Sequence, residues 1–97
     1  MTTLLNILTV DAANRDRLMA MLRNSTETVI GTLDGWISTS LMVSADGTRV
    51  VIHSRWRDAA AIEAMRTDPR MMAWFPKIAA IASLESIVGE VAYETRL

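Results

Sequence analysis

The stretch Asp46–Trp56, DGTRVVIHSRW, opens on a tight-turn dipeptide, enters a run of Val and Ile, and closes on a tryptophan. Asp46-Gly47 is a hairpin signal, because a two-residue turn needs backbone conformations that Gly and Asp tolerate. Val50 to Trp56 then reads as the returning strand. On the other side of the turn, Trp36 to Ser44 alternates loosely. Ile37, Thr39, Leu41 and Val43 fall on one face, with Trp36, Ser38, Ser40, Met42 and Ser44 on the other. A central hairpin is therefore predicted over residues 36–56.

Working outward, Leu4 to Val10 is short, apolar and partly β-branched, and reads as a first strand. Asp11 to Asn14 offers two N-cap residues before a helical run without Gly or Pro up to Gly31. Leu18, Met21, Leu22, Ser25 and Val29 share one face of it. Ser25 interrupts that stripe, either bonded back to its own helix or facing a cavity. After the hairpin, Asp58 caps a second helix and Asp68-Pro69 restarts it. Pro76 is expected to kink or end it, and Ile87 to Thr95 to form the last strand. The order is β-α-β-β-α-β, an α+β ferredoxin-like arrangement with an antiparallel four-stranded sheet. The expectation is a single domain over residues 1–97.

Two helices cover only one face of such a sheet. Yet the first strand is apolar on both faces, with Leu4, Leu8 and Val10 against Leu5 and Ile7. Val50 and Ile52 likewise oppose Val51. A sheet with one wet face alternates more cleanly. The second face therefore calls for a partner sheet, and a homodimer through that face is expected. The composition agrees: 51% hydrophobic residues, with three Trp and seven Met, is a large apolar share for 97 residues to hide alone.

The same totals narrow the chemistry. There is no cysteine and one histidine, so neither a thiol nucleophile nor a Cys- or His-pair metal site is available, and no metal is expected. The net charge of −1 without a basic cluster gives no footprint for nucleic acid. No apolar run is long enough to span a membrane, and the expected compartment is cytoplasmic. Glycines at 31, 35, 47 and 89 make no phosphate loop. His53 lies opposite Ile52, Ser54 and Trp56 in the strand and is read as a polar residue of the dimer face. Glu90 and Glu94 are read as one solvated or interfacial face of the last strand. Asn6, in the middle of an apolar strand, must find partners if buried. Parity alone does not say whether it shares a face with Trp56.

DGTRVVIHSRW followed by RDAAAIEAMRTDPRMMAWF, with LLNILTV and LDGW upstream, resembles the antibiotic biosynthesis monooxygenase superfamily across nearly the whole chain. The resemblance implies a dimeric α+β barrel. It also implies roles for an Asn on the first strand and a Trp ending the third, matched by Asn6 and Trp56. The family's anthrone-oxidising members place a second Asn four residues before that Trp, where this chain has Ile52. Some carry a Tyr at the position of Ile62. A His common in the family falls on Met65, which weakens any haem-binding reading.

Two functions follow as expectations. One is a cofactor-independent monooxygenase acting with O2 on an electron-rich, anthrone- or quinol-like aromatic. Asn6 and Trp56 would be catalytic, with Ile52, Ser54, Ile62, Met65, Met72 and Trp74 lining the pocket between sheet and helices. The other is a non-catalytic dimeric barrel that binds an apolar ligand or serves a structural role.

Overall fold

Turn chemistry at Asp46 and one-sided burial organise the sheet. In the computed structural model, which describes residues 1–97, the chain runs β1 (Thr2–Val10), α1 (Arg15–Thr28), β2 (Trp36–Val43), β3 (Arg49–Trp56), α2 (Ala59–Thr67), α3 (Pro69–Ala79) and β4 (Ala82–Gly89). The strands form one sheet in the order β2-β3-β1-β4, antiparallel throughout. This is the ferredoxin-like α+β arrangement, with the second helix divided in two. Asp58 caps α2 by accepting from the Ala61 N–H, and Asp68 caps α3 by accepting from the Arg70 N–H, with Pro69 at its first turn.

Four differences from the sequence expectations have physical causes. The last strand begins at Ala82 and ends at Gly89, where Thr3 pairs with Gly89 and β1 has almost no backbone left to offer. Glu90 and Glu94 therefore lie past the strand, where Thr2 Oγ1 donates to Glu90 and Arg55 pairs with Glu94. A bulge between Trp36 and Ser38 breaks the alternation of β2, so that Trp36 and Thr39 share a face. Helix α3 continues through Pro76 to Ala79; the carbonyl that loses its partner, on Met72, belongs to a 57% exposed residue that water can reach. Neither Asp11 nor Asn14 makes a side-chain cap, and a 3-10 turn over Ala12–Asn14 leads into α1 instead.

The register of β1 against β3 sets the faces. Thr2, Leu4, Asn6 and Leu8 pair with Trp56, Ser54, Ile52 and Val50, and all eight look toward the helices. The opposite face carries Leu5, Ile7, Val51, His53, Met42 and Ile87, with no element of the chain over it. Beneath the helices the core is divided. Leu4, Val29, Trp56, Ala61, Ile62, Met65 and Met71 form one buried cluster, and Leu8, Val10, Leu18, Leu22 and Val50 another. The row between them is Asn6–Ile52. No helix is long and apolar enough to cross a membrane.

At the hairpin, Gly47 has φ of +75°, and a Cβ there would run into the Arg15 guanidinium. The Asp46 carboxylate accepts from Thr48 Oγ1 (2.7 Å), the Thr48 N–H (3.0 Å) and Ser44 Oγ (2.7 Å). Those bonds, Thr48's first, lower its pKa from 3.8 to about 2. Because the folded pKa is depressed, the stabilisation is complete above the unfolded value of 3.8 and disappears as the pH falls toward about 2. The difference in urea midpoint between the wild type and Asp46→Ala is thus expected to shrink between about pH 4 and pH 2. A pH-independent difference would show that the carboxylate is not what holds the turn.

Candidate functional site

Where the two halves of the core fail to meet, a cavity of about 80 Å³, partly open to solvent, remains between sheet and helices. Asn6 and Ile52, cross-strand partners, sit at its centre. Leu4, Ser54, Trp56 and Met65 close one end, and Leu8 and Leu22 the other. Phe75 of α3 and Leu84 of β4, 37% and 59% exposed, stand at the mouth. No charged or otherwise titratable side chain lines it. The volume is below the roughly 150 Å³ of a dry cavity that admits benzene. A fused-ring ligand therefore has to displace side chains, and Phe75 and Leu84 are the ones with solvent behind them.

Five of the eight residues expected at the site, Asn6, Ile52, Ser54, Trp56 and Met65, line this one cavity. The other three do not. Ile62 is packed within the Trp56 cluster, Met72 points to solvent, and Trp74 lies against the outside of that cluster with Lys77 Nζ 5.2 Å from its ring centroid. Alternation along α2 and α3 could not separate them, since both helices are apolar on more than one side.

The polar groups are specific in their partners. Asn6 Oδ1 accepts a hydrogen bond from the Ser86 hydroxyl on β4, and the amide NH2, which has no protein acceptor, is not buried. Trp56 is 1% exposed, and its indole N–H donates to Ser54 Oγ at 3.0 Å. That N–H is thus engaged, and Trp56 offers the cavity ring surface, not a free donor. Ser25 satisfies both readings the sequence left open: its hydroxyl donates to the Leu22 carbonyl at 3.1 Å, and it lines the cavity. Thr26 Oγ1 bonds the same carbonyl at 2.8 Å. Thr39 and Ser86 escaped sequence reasoning, the first because the bulge at Ile37 is invisible in the alternation, the second because the last strand was placed too late. His53 faces away, beside Leu5 on the open side of the sheet.

The profile of the antibiotic biosynthesis monooxygenase family matches residues 1–77, from β1 through most of α3. The chain belongs to that family. It is 31% identical over 91 residues to tetracenomycin-F1 monooxygenase of Streptomyces glaucescens, covering 94% of this chain and 81% of that protein. Its fold is shared with Rv0793 of Mycobacterium tuberculosis, at a TM-score of 0.83 and 22% identity over 98% of both chains. It is shared too with SnoaB, a cofactor-independent oxygenase of Streptomyces nogalater, at a TM-score of 0.81 and 18% identity over 96% of this chain and 94% of that one. No group of three or more His, Asp or Glu is placed to hold a metal ion.

Trp56 also closes the larger half of the core. Trp56→Ala is expected to lower the unfolding free energy by about 3–5 kcal/mol, as for other buried tryptophans, in chemical denaturation. A loss under about 1 kcal/mol would mean that the surrounding side chains collapse into the space. Phe is consequently the substitution for functional tests at this position.

Proposed function

We propose that the chain is a cofactor-independent monooxygenase of an uncharged, electron-rich aromatic, anthrone- or quinol-like, bound between sheet and helices. The observation that carries this reading is the Asn6 amide, held by Ser86 and left with two free N–H groups in a cavity whose other polar side chains are only hydroxyls. In such a reaction the substrate loses a proton, and the resulting anion transfers an electron to O2. For an anthrone-like methylene, CH2 and O2 become C=O and H2O: one oxygen atom enters the substrate, the other leaves as water, and the substrate supplies all four electrons. The protein's share is to stabilise the anion with aimed donors in a dry pocket. Asn6 is the first of those donors, and the Trp56 ring forms the wall against which an aromatic stacks.

No side chain of the cavity can act as a general base, so the proton must leave to solvent or to O2-derived oxygen. Oxygen uptake by metal-free, flavin-free protein should therefore rise with pH through the substrate's own ionisation, and shift to lower pH with a more acidic substrate. Asn6→Ala is expected to reduce kcat/KM by about 10²–10³, the usual effect of losing one oxyanion donor. His53→Gln should leave the profile where it is. Full activity in Asn6→Ala, or a profile that moves with His53, would refute these roles.

One observation favours the second reading, a non-catalytic binder of a small apolar ligand. The cavity holds about 80 Å³, and Ile52 fills the place next to Asn6 where an amide would complete a pair of donors. Binding of small aromatics with no oxygen uptake on an anthrone and quinol panel would select it.

The assembly expected for either function is a homodimer through the open sheet face. The chain exposes 6147 Å², against about 5,500 Å² for a monomer of its mass, and the uncovered face carries Leu5, Ile7, Val51, Met42 and Ile87. Equilibrium sedimentation at micromolar concentration should return twice 10.7 kDa, and Ile7→Asp the monomer mass. A monomeric wild type would rule out the dimer.

A further inference from the structure

Two tryptophans at one end of the cavity make the same unusual contact. Trp36 and Trp56 are cross-strand partners at the ends of β2 and β3. Each gives its indole N–H to a hydroxyl on its own strand: Trp36 Nε1 to Thr39 Oγ1 at 2.9 Å, and Trp56 Nε1 to Ser54 Oγ at 3.0 Å. Thr39 and Ser54 are themselves cross-strand partners, and both line the cavity. Directly opposed residues have Cβ atoms about 4.5–5.5 Å apart, a spacing from which two hydroxyls can reach one oxygen atom between them.

A hydroxyl has one proton to give and two lone pairs to receive with. An indole N–H occupying a lone pair leaves the proton to be donated elsewhere. Thr39 has no protein acceptor for it. Ser54 has only the Leu4 carbonyl, at 3.4 Å, well beyond the 2.7–2.8 Å typical of O–H···O bonds. No carboxylate or other anion lines the cavity to compete. We propose that the Thr39 and Ser54 hydroxyls form a two-donor site for the oxygen of a phenol or enol, held in the anionic form, with Trp36 and Trp56 as positioning residues behind them. This rests on the cavity being the substrate site, and it changes the part of Trp56: its N–H acts through Ser54. Bonds to a charged acceptor are roughly twice as strong as neutral ones, so the site favours phenolate over phenol.

The test uses 4-nitrophenol, whose phenol and phenolate absorb at different wavelengths. Titrated with the wild-type protein, the bound ligand should ionise about one pH unit lower than the free ligand, which is phenolate held about tenfold tighter than phenol. Thr39→Val and Ser54→Ala should each remove part of that shift, and the double variant more than either, leaving only what the Asn6 amide supplies. Thr39→Ser should keep it, and Trp36→Phe, which retains both hydroxyls, should weaken it. Thr39 is only half-buried, so Thr39→Val decides the matter even if Ser54→Ala, which strands a buried indole N–H, does not fold. An undiminished shift in Thr39→Val overturns the proposal, as does a wild type that fails to bind 4-nitrophenol or binds both forms equally. The oxygenase reading fails separately: a retained shift without oxygen uptake leaves the two-donor site standing, and uptake with an unchanged shift in Thr39→Val removes the site alone.

Discussion

The pairing of β1 with β3, Asn6 opposite Ile52 and Leu4 opposite Ser54, is the constraint on which the rest depends. Side chains alternate along a strand with a period of two, so a slip of one residue would send Asn6, Leu4 and Leu8 to the open face and bring Leu5 and Ile7 under the helices. The apolar clusters on either side resist that slip. Leu8 and Val50 lock one end beneath Leu18 and Leu22, and Leu4 and Trp56 the other beneath Met65 and Met71. The amide is thereby carried into the core as part of a register fixed by its neighbours.

The cavity is a consequence of the same arrangement. An amide row cannot pack as tightly as the Leu and Trp rows flanking it, and Asn6 and Ile52 are only half-buried where Leu4, Leu8, Val50 and Trp56 are fully so. The core therefore parts at Asn6–Ile52. Ser86 takes one side of the amide from β4, and Thr39 and Ser54 bring hydroxyls from β2 and β3. Asn6, Thr39 and Ser54 thus bring polar atoms from β1, β2 and β3, and Ser25 and Thr26 from α1, to a space otherwise lined by Leu, Ile, Met and aromatic side chains. An environment of donors without charges suits a flat, uncharged molecule that carries an acidic oxygen or carbon.

Sheet and helices also divide labour between the two faces. The helix face encloses, with sixteen residues buried in the whole chain; the open face keeps its apolar side chains outward. His53, the one histidine of the chain, lies on the open face with Leu5 and Ser40 as cross-strand neighbours. It is not among the residues that line the cavity.

Much of this was legible in the chain itself. DGTRVVIHSRW announced its turn and strand because Gly47 is needed at positive φ and β-branched residues suit a pleated surface. Asp58 and Asp68-Pro69 marked the helix starts because capping is a local matter. The surplus of apolar residues on both faces of β1 followed from alternation alone. What lay beyond the sequence was every relation between strands. The bulge that turns Trp36 toward Thr39, the end of β4 where β1 runs out, and the face on which Asn6 sits are set by pairing across the sheet. A single strand carries its own alternation but no information about its phase relative to the next one; burial of the whole core chooses that phase, and only the assembled sheet shows the choice.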